Sequence, residues 1–456
     1  MVAHSSSVCG YPARTASALR VATVLPIMTL LYGMLLGLPP QAAEPAKPPL
    51  PPLASTDEMR SQWPRFRGPG GLGVSPHKDV PIEWDGASGK GILWKTKLPL
   101  PGYSSPIVWK DRIFLSGADK DRCEVYCLDV LAGKILWQKP IPKVGNNPAA
   151  VPTVFSDDHS RGGYAASTMA TDGRLVYAMF ATGVVAAFSF EGNLAWARNL
   201  DTPANAYGHT SSLLTHGPLL IVQLDQGDTA DKKLSALIAL DGTTGKEIWR
   251  TMPRPVPNSW STPIVIKAGK REELITTGNP WVIAYDPEKG KEFWRVECLG
   301  GDVAPSPAFG DGMVVVAVES AKGAAILPGG EGNVTATNVL WTASEGLPAM
   351  ASPLVAASCV YFATGNGLIT CHDVEDGKRS WTHDFETGFL ASPAFADGRI
   401  YALDKKGIMH VLAAGKEFKE IAASPLGEPA DASPAFAEGR LYVRGVKHLF
   451  AIGKKP

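Results

Sequence analysis

Neither sign of charge prevails in this chain. Over 456 residues, 44 Lys+Arg face 44 Asp+Glu and the formal net charge is zero. A nucleic-acid partner usually demands a basic face to neutralise phosphates, so none is expected. Cysteine is scarce: six residues, with no adjacent pair and no C-x-x-C spacing that would suggest zinc. Cys123 and Cys127 stand four apart in an extended pattern, roughly 13 Å at strand rise and too far to bridge. Cys359 and Cys371 flank the turn Thr364–Gly367 at unopposed positions, so no disulfide framework is legible. Long amphipathic helical patterns are absent after residue 60, which argues against a helical architecture. Phosphate-loop chemistry is missing too. "FRGPGGLG", Phe66–Gly73, lacks the Lys-Ser/Thr of a P-loop and joins no strand to a helix. Ser211 follows His209 closely, but without a G-x-S-x-G elbow. "DDHSR", Asp157–Arg161, clusters carboxylates with His159, yet spacing alone supplies no metal geometry.

One long apolar run is present, Val21–Leu38, preceded by Arg14 and Arg20 and followed by small residues at Ala42 and Ala43. This pattern predicts a secretory signal over residues 1–43, cut near Ala43, with Pro26 and the small residues favouring cleavage. The alternative is an uncleaved membrane anchor, because 18 apolar residues can just span a bilayer. No Cys follows the run to accept a lipid. Residues 44–60 read as a Pro-rich linker and 61–90 as an N-terminal clamp around Trp63, Phe66 and Arg67.

What is abundant is repetition, with 47 Gly and 38 Pro to punctuate it. "ASPAFADGRIY" at Ala391 returns 41 residues later as "ASPAFAEGRLY" at Ala432. Related openings occur at Ser105, Ser261, Ser306 and Ser352, with degenerate copies at Ala166–Tyr177 and Ser211–Val222. A second motif, D-x-x-x-G-K-x-x-W, runs from Asp129, Asp241, Asp286 and Asp373 to Trp137, Trp249, Trp294 and Trp381. Trp196 ends a shortened version and Trp341 keeps only the aromatic. Units of roughly 40–55 residues lie in the range of propeller blades.

Each unit parses as four short strands separated by turn residues. A single such sheet has unpaired edges and two apolar faces, and a closed ring of copies buries both. The expected fold is an all-β, eight-bladed propeller of four-stranded antiparallel blades over residues 91–454, with seven blades as the alternative. The last copy holds only three strands, and the missing one, with Trp94, is Gly91–Leu98 near the other end. The repeated Asp residues read as turn caps. Trp94, Trp137, Trp196, Trp249, Trp294, Trp341 and Trp381 read as packing between blades.

"ALDGTTGKEIW", Ala239–Trp249, resembles the tryptophan-docking motif of pyrroloquinoline quinone (PQQ) repeat propellers, and "AYDPEKGKEFW" matches except at Lys289. That superfamily includes quinoprotein dehydrogenases and the non-enzymatic assembly protein BamB. With "W-P-x-F-R-G-P" at Trp63–Pro69 and the ending Ser433–Gly453, the chain is similar to exported PQQ-like repeat proteins familiar from planctomycetes. A quinoprotein dehydrogenase of this type is expected to carry a vicinal Cys pair, a metal held by Glu, Asn and Asp, and an Asp base. The first is absent and the others find no match residue by residue; Asp302 is the best stand-in for a base.

Function is expected in what does not repeat. The connections that precede each "SP" land on one mouth of the channel and bring His159, Arg161, Tyr164, Tyr207, His209, Trp260 and Asp302 toward it. The insertion Ile326–Asn338 in blade five offers Glu331 and Asn333 to a cation or to solvent. The function expected is a non-enzymatic, exported scaffold of the periplasm or cell envelope that binds a protein partner, monomeric and without cofactor, tethered to the membrane only if the N-terminal segment stays uncleaved. The alternative is a PQQ-dependent oxidoreductase using calcium.

Overall fold

The computed structural model describes residues 50–144, 163–201, 203–205 and 207–454. The signal or anchor at 1–43, and His159 and Arg161 in the connection after blade 1, lie outside them. No helix among the described residues is long and apolar enough to cross a membrane.

Eight antiparallel sheets follow one another along the chain. Blade 1 runs from Ile107 to Pro140, blade 2 from Ala170 to Asn199, blade 3 from Leu214 to Thr251 and blade 4 from Ile264 to Glu297. Blades 5, 6 and 7 span 308–343, 354–384 and 394–425. Blade 8 takes three strands from Ala435–Ile452 and its outermost from Ile92–Lys97, which pairs with His448–Ile452. The ring therefore closes through the N-terminal strand, as the missing fourth strand predicts.

Burial follows position in the blade. Second strands such as Leu175–Met179 and Met313–Ala317 are buried at every residue, because neighbouring blades cover both faces. Outer strands alternate, as in Ile135–Pro140, since one face meets water.

A register shift lies between the third and outer strands of every blade. The extra residue sits just before the repeated Trp, and Leu136, Ile248 and Leu340 occupy it, which accounts for their exposure. Such a bulge re-aims the next side chain, here toward the following blade. Trp94, Trp137, Trp196, Trp341 and Trp381 each donate Nε1–H to a carbonyl of that blade, for example Trp196 to Gly242 at 2.7 Å. The ring of Trp196 lies flat on Gly245, where φ is +70° and a Cβ would fall 2.5 Å from the indole. Gly290 receives Trp249 in the same way. The D-x-x-x-G turn is thus a socket as well as a cap. Asp241 Oδ1 accepts from Thr244 N and Oγ1, both at 2.8 Å.

Two blades depart from the pattern, each for a visible reason. Blade 5 has no D-x-x-x-G turn to receive Trp294, whose Nε1–H instead donates to Glu273 Oε2 of its own blade at 2.8 Å. The insertion supplies Gly332–Asn333, which pairs in parallel beside Trp294 and Arg295. Asn333, expected near a cation or solvent, accepts from Thr335 N and Oγ1 at 3.0 and 2.7 Å, just before the helical turn Thr335–Asn338. Blade 7 has Ala422 in place of the Trp, after the bulged Ile421. Trp84 of the N-terminal segment is buried in the cluster against which Ala422 packs, and its backbone N–H donates to Ser424 Oγ at 3.1 Å.

The N-terminal segment begins earlier than expected. Residues 54–60, read from sequence as linker, belong to the folded body. Ala54 N–H donates to Asp172 O at 3.2 Å, and Ser55 opens the helical turn Thr56–Ser61 through a capping box with Glu58.

Gly245→Ala is expected to destabilise by over ~2 kcal/mol, combining the positive-φ cost with displacement of Trp196. Gly398→Ala, where φ is +76° and no atom lies near, carries the first cost alone and should lose clearly less. Urea unfolding of both variants checks this; equal losses would remove the socket.

Candidate functional site: the channel mouth

The residue that opens each inner strand is Ser105, Thr168, Ser212, Thr262, Ser306, Ser352, Ser392 or Ser433, one per blade. Together they encircle the channel. Each backbone N–H donates to the hydroxyl of the next blade: Ser105 to Thr168 at 2.9 Å, Thr168 to Ser212 at 3.0 Å, and so on through Ser392 to Ser433 at 2.9 Å. Seven such bonds step round the ring. The eighth junction, from blade 8 to blade 1, is bridged by the buried Arg444. Its Nη1 donates to Ser104 O, Ser104 Oγ and Ser116 O at 3.1, 2.7 and 2.8 Å. Burial pulls the Arg444 guanidinium down to about 10.

One end of the channel is shut. Trp63 pairs with Val108 of blade 1, Thr171 N–H of blade 2 donates to Pro64 O, and Phe395 N–H of blade 7 donates to Gly73 O. Between them the chain crosses the axis. Arg65 Nη2 donates to Pro263 O of blade 4 at 2.6 Å, and Arg67 Nη2 to Pro353 O of blade 6 at 2.5 Å. Both guanidinium groups are buried, and desolvation lowers each to about 9. The sequence reading of a clamp therefore has a physical form: a strap whose two arginines hold carbonyls of blades 4 and 6. Phe66, between them, faces the channel interior.

The other end opens into a cavity of about 780 Å³. Its floor is the hydroxyl ring and Phe66. Its walls carry Tyr103, Tyr207, Trp260, Met350 and Leu390, with the carboxylates Asp302, Glu319 and Asp431. The loops are braced together. Trp260 N–H donates to Val303 O at 2.9 Å, Glu319 N–H to Pro348 O at 3.0 Å and Ser320 Oγ–H to Gly300 O at 2.8 Å. Tyr207 and Trp260 meet with ring centroids 5.1 Å apart.

Of the seven mouth residues named from sequence, Tyr207, Trp260 and Asp302 line this cavity. Tyr164 does not; it packs partly buried beside the core between blades 1 and 2. His209 is only 2 % exposed and turned away from the cavity, and burial lowers its imidazole to about 4. The hydroxyl ring went unread, although Ser or Thr stands at the same place in all eight copies. The repeat was read as a strand opening, while its polar residue carries the contact across blades. Glu319 also went unread, because it sits in the turn between the second and third strands of blade 5 rather than between blades.

The model of the PQQ-repeat family described as outer membrane protein assembly factor BamB matches residues 69–221, 234–351 and 330–417. The chain belongs to this BamB-like PQQ-repeat family. No curated protein sequence matches it. Among solved structures it is similar to BamB from Moraxella catarrhalis, with 16 % identity, TM-score 0.58, and 80 % of this chain and 97 % of that one covered. The quinohemoprotein alcohol dehydrogenase ADHIIG from Pseudomonas putida HK5 aligns at 13 % identity and TM-score 0.64, covering 87 % and 81 %. A europium-containing methanol dehydrogenase aligns at 11 % and 0.66, covering 86 % and 92 %. At these identities the structures share the fold, and both a BamB and dehydrogenases are among them.

PQQ with calcium fits this lining poorly. PQQ is a tricarboxylate, and the described lining offers it three carboxylates and no Lys, Arg or His. Among the described residues no group of three or more His, Cys, Asp or Glu is placed to hold a metal ion. The described thiols are free, and the chain has no adjacent Cys pair to lie over a quinone.

His209 makes the fold pH-sensitive. Its folded-state affinity for protons lies below the unfolded value, so the unfolded chain binds more protons between about pH 6.5 and 4, and stability falls as pH drops through that window. The full effect is about 3 kcal/mol. His209→Gln should flatten the loss of melting temperature from pH 6.5 to 4; an unchanged slope would contradict this.

Proposed function

We propose that this protein is a non-enzymatic, exported propeller scaffold of the cell envelope that receives a segment of a protein partner in the channel mouth. The observation that carries this reading is the blind cavity itself: open on one side, shut on the other by the arginine strap, and walled by braced aromatic loops. A through-channel would suit passage, whereas a closed, pre-organised bowl suits docking. Tyr207 is 41 % exposed and Met350 46 %, so large side chains stand ready at the rim, the kind enriched in protein interfaces. Membership of the BamB-like family supports the partner reading, and the poor fit for PQQ weighs against the oxidoreductase reading.

The test places a photo-crosslinking amino acid at position 350, and separately at position 248 on the outer circumference, in the full chain in its own envelope. A single partner protein should crosslink from 350 and not from 248. Crosslinking from neither position, together with saturable PQQ binding and dye reduction on adding calcium, would replace the scaffold with an enzyme.

A further inference from the structure

The mouth has a sidedness of charge that identifies its occupant more closely. Asp302 and Glu319 stand on adjacent segments, joined by the Ser320–Gly300 hydrogen bond, and both are exposed at the cavity wall. Neither makes an ion pair or a side-chain hydrogen bond with a described residue. Trp260 is tied by its backbone to Val303, the residue after Asp302, and its ring meets that of Tyr207 at a tilt of 50°. One wall therefore presents two carboxylates beside an aromatic pair, of which Tyr207 is exposed and Trp260 largely buried.

An acidic pair alone would say little. The floor supplies an independent observation. The eight ring hydroxyls are at most 5 % exposed, all line the cavity, and none donates its hydrogen to a described protein acceptor. Seven of the eight oxygens, all but that of Ser105, already accept from a backbone N–H. The floor thus offers donors to whatever enters. Beneath it, Arg65 and Arg67 bring buried positive charge with no carboxylate partner among the described residues. The cavity runs from donors and positive charge at the closed end to acceptors and negative charge at the open end.

Resting on the partner reading above, we propose that the inserted element is a basic peptide segment. Its backbone carbonyls accept from the hydroxyl floor, and a Lys or Arg side chain lies at the rim between Asp302, Glu319 and the Trp260–Tyr207 pair. Carboxylates satisfy the cation's N–H donors, and the aromatic faces attract its charge. A carboxylate-rich segment would meet like charge at the rim, and a fully apolar one would leave the floor hydroxyls unmatched. Because Asp302 and Glu319 are exposed, the attraction should weaken with salt.

The test titrates the full chain with three acetylated, amidated tripeptides, Gly-Arg-Gly, Gly-Gln-Gly and Gly-Glu-Gly, followed by calorimetry and tryptophan fluorescence. The Arg peptide should bind at least tenfold more tightly than the Gln peptide, and the Glu peptide not at all. That preference should fall at least tenfold in the double variant Asp302→Asn, Glu319→Gln, and between 50 and 500 mM salt. The melting temperature of the variant, which removes no described contact, should stay unchanged. Equal binding of the three peptides, binding of the Glu peptide alone, or no binding would overturn the inference. The partner reading is tested separately: a crosslink from position 350 that maps to a neutral or acidic segment keeps the docking mouth and removes the basic occupant.

Discussion

Everything in this structure depends on how one blade is joined to the next. A four-stranded sheet with two apolar faces has no stable existence until both are covered, and only a closed ring covers them all. Two interactions repeat at most junctions and set the spacing. At the axis, a backbone N–H of one blade donates to a Ser or Thr hydroxyl of its neighbour. At the circumference, an indole turned by a bulge lies on the glycine of the neighbour's turn. Between blades 8 and 1 Arg444 replaces the axial bond, while Trp94 still lies on Gly133; the indole contact is missing where Trp294 turns to Glu273 and where blade 7 has Ala422.

Because the junctions hold the ring, the mouth loops are released from structural duty and can differ in length and chemistry. The strap at the far end has the opposite role. Trp63, Arg65 and Arg67 are nearly all buried, and they convert a channel into a bowl. Burying two guanidinium groups against carbonyls, with no carboxylate partner among the described residues, is costly. The structure tolerates it where the same segment also seals the axis and feeds the closing strand. A bowl with a donor-rich floor and an acidic aromatic rim is a docking surface of definite polarity.

Most of the fold was legible because it is written eight times. The D-x-x-x-G-K-x-x-W motif marks the outer strand, and the incomplete last copy marks the closure. The exceptions were less legible, because they are compensations in space. Nothing in the sequence says that Trp84 serves the blade that has Ala422, or that Trp294 turns to Glu273 where blade 5 lacks its turn. At the mouth, connectivity named Tyr207, Trp260 and Asp302, which line one cavity. It also named His209, which the same loop buries, since loop membership does not fix side-chain direction. Tyr164 falls away from the mouth for the same reason. The ring hydroxyls were visible as a repeated letter, but a repeat read as a strand opening hides what its polar atom touches.

The account rests on the hydroxyl ring as the axial joint, and amide hydrogen exchange at Ser306 tests it most directly. Its N–H donates to Ser352 Oγ at 3.0 Å. In Ser352→Ala, exchange at Ser306 should accelerate and the fold lose about 1–3 kcal/mol, the cost of a buried donor left unpaired. In Ser352→Thr, which keeps the hydroxyl as Thr168 and Thr262 do in their own blades, exchange should remain near that of the unaltered chain. Equal protection of Ser306 in the Ala and Thr variants would contradict the joint.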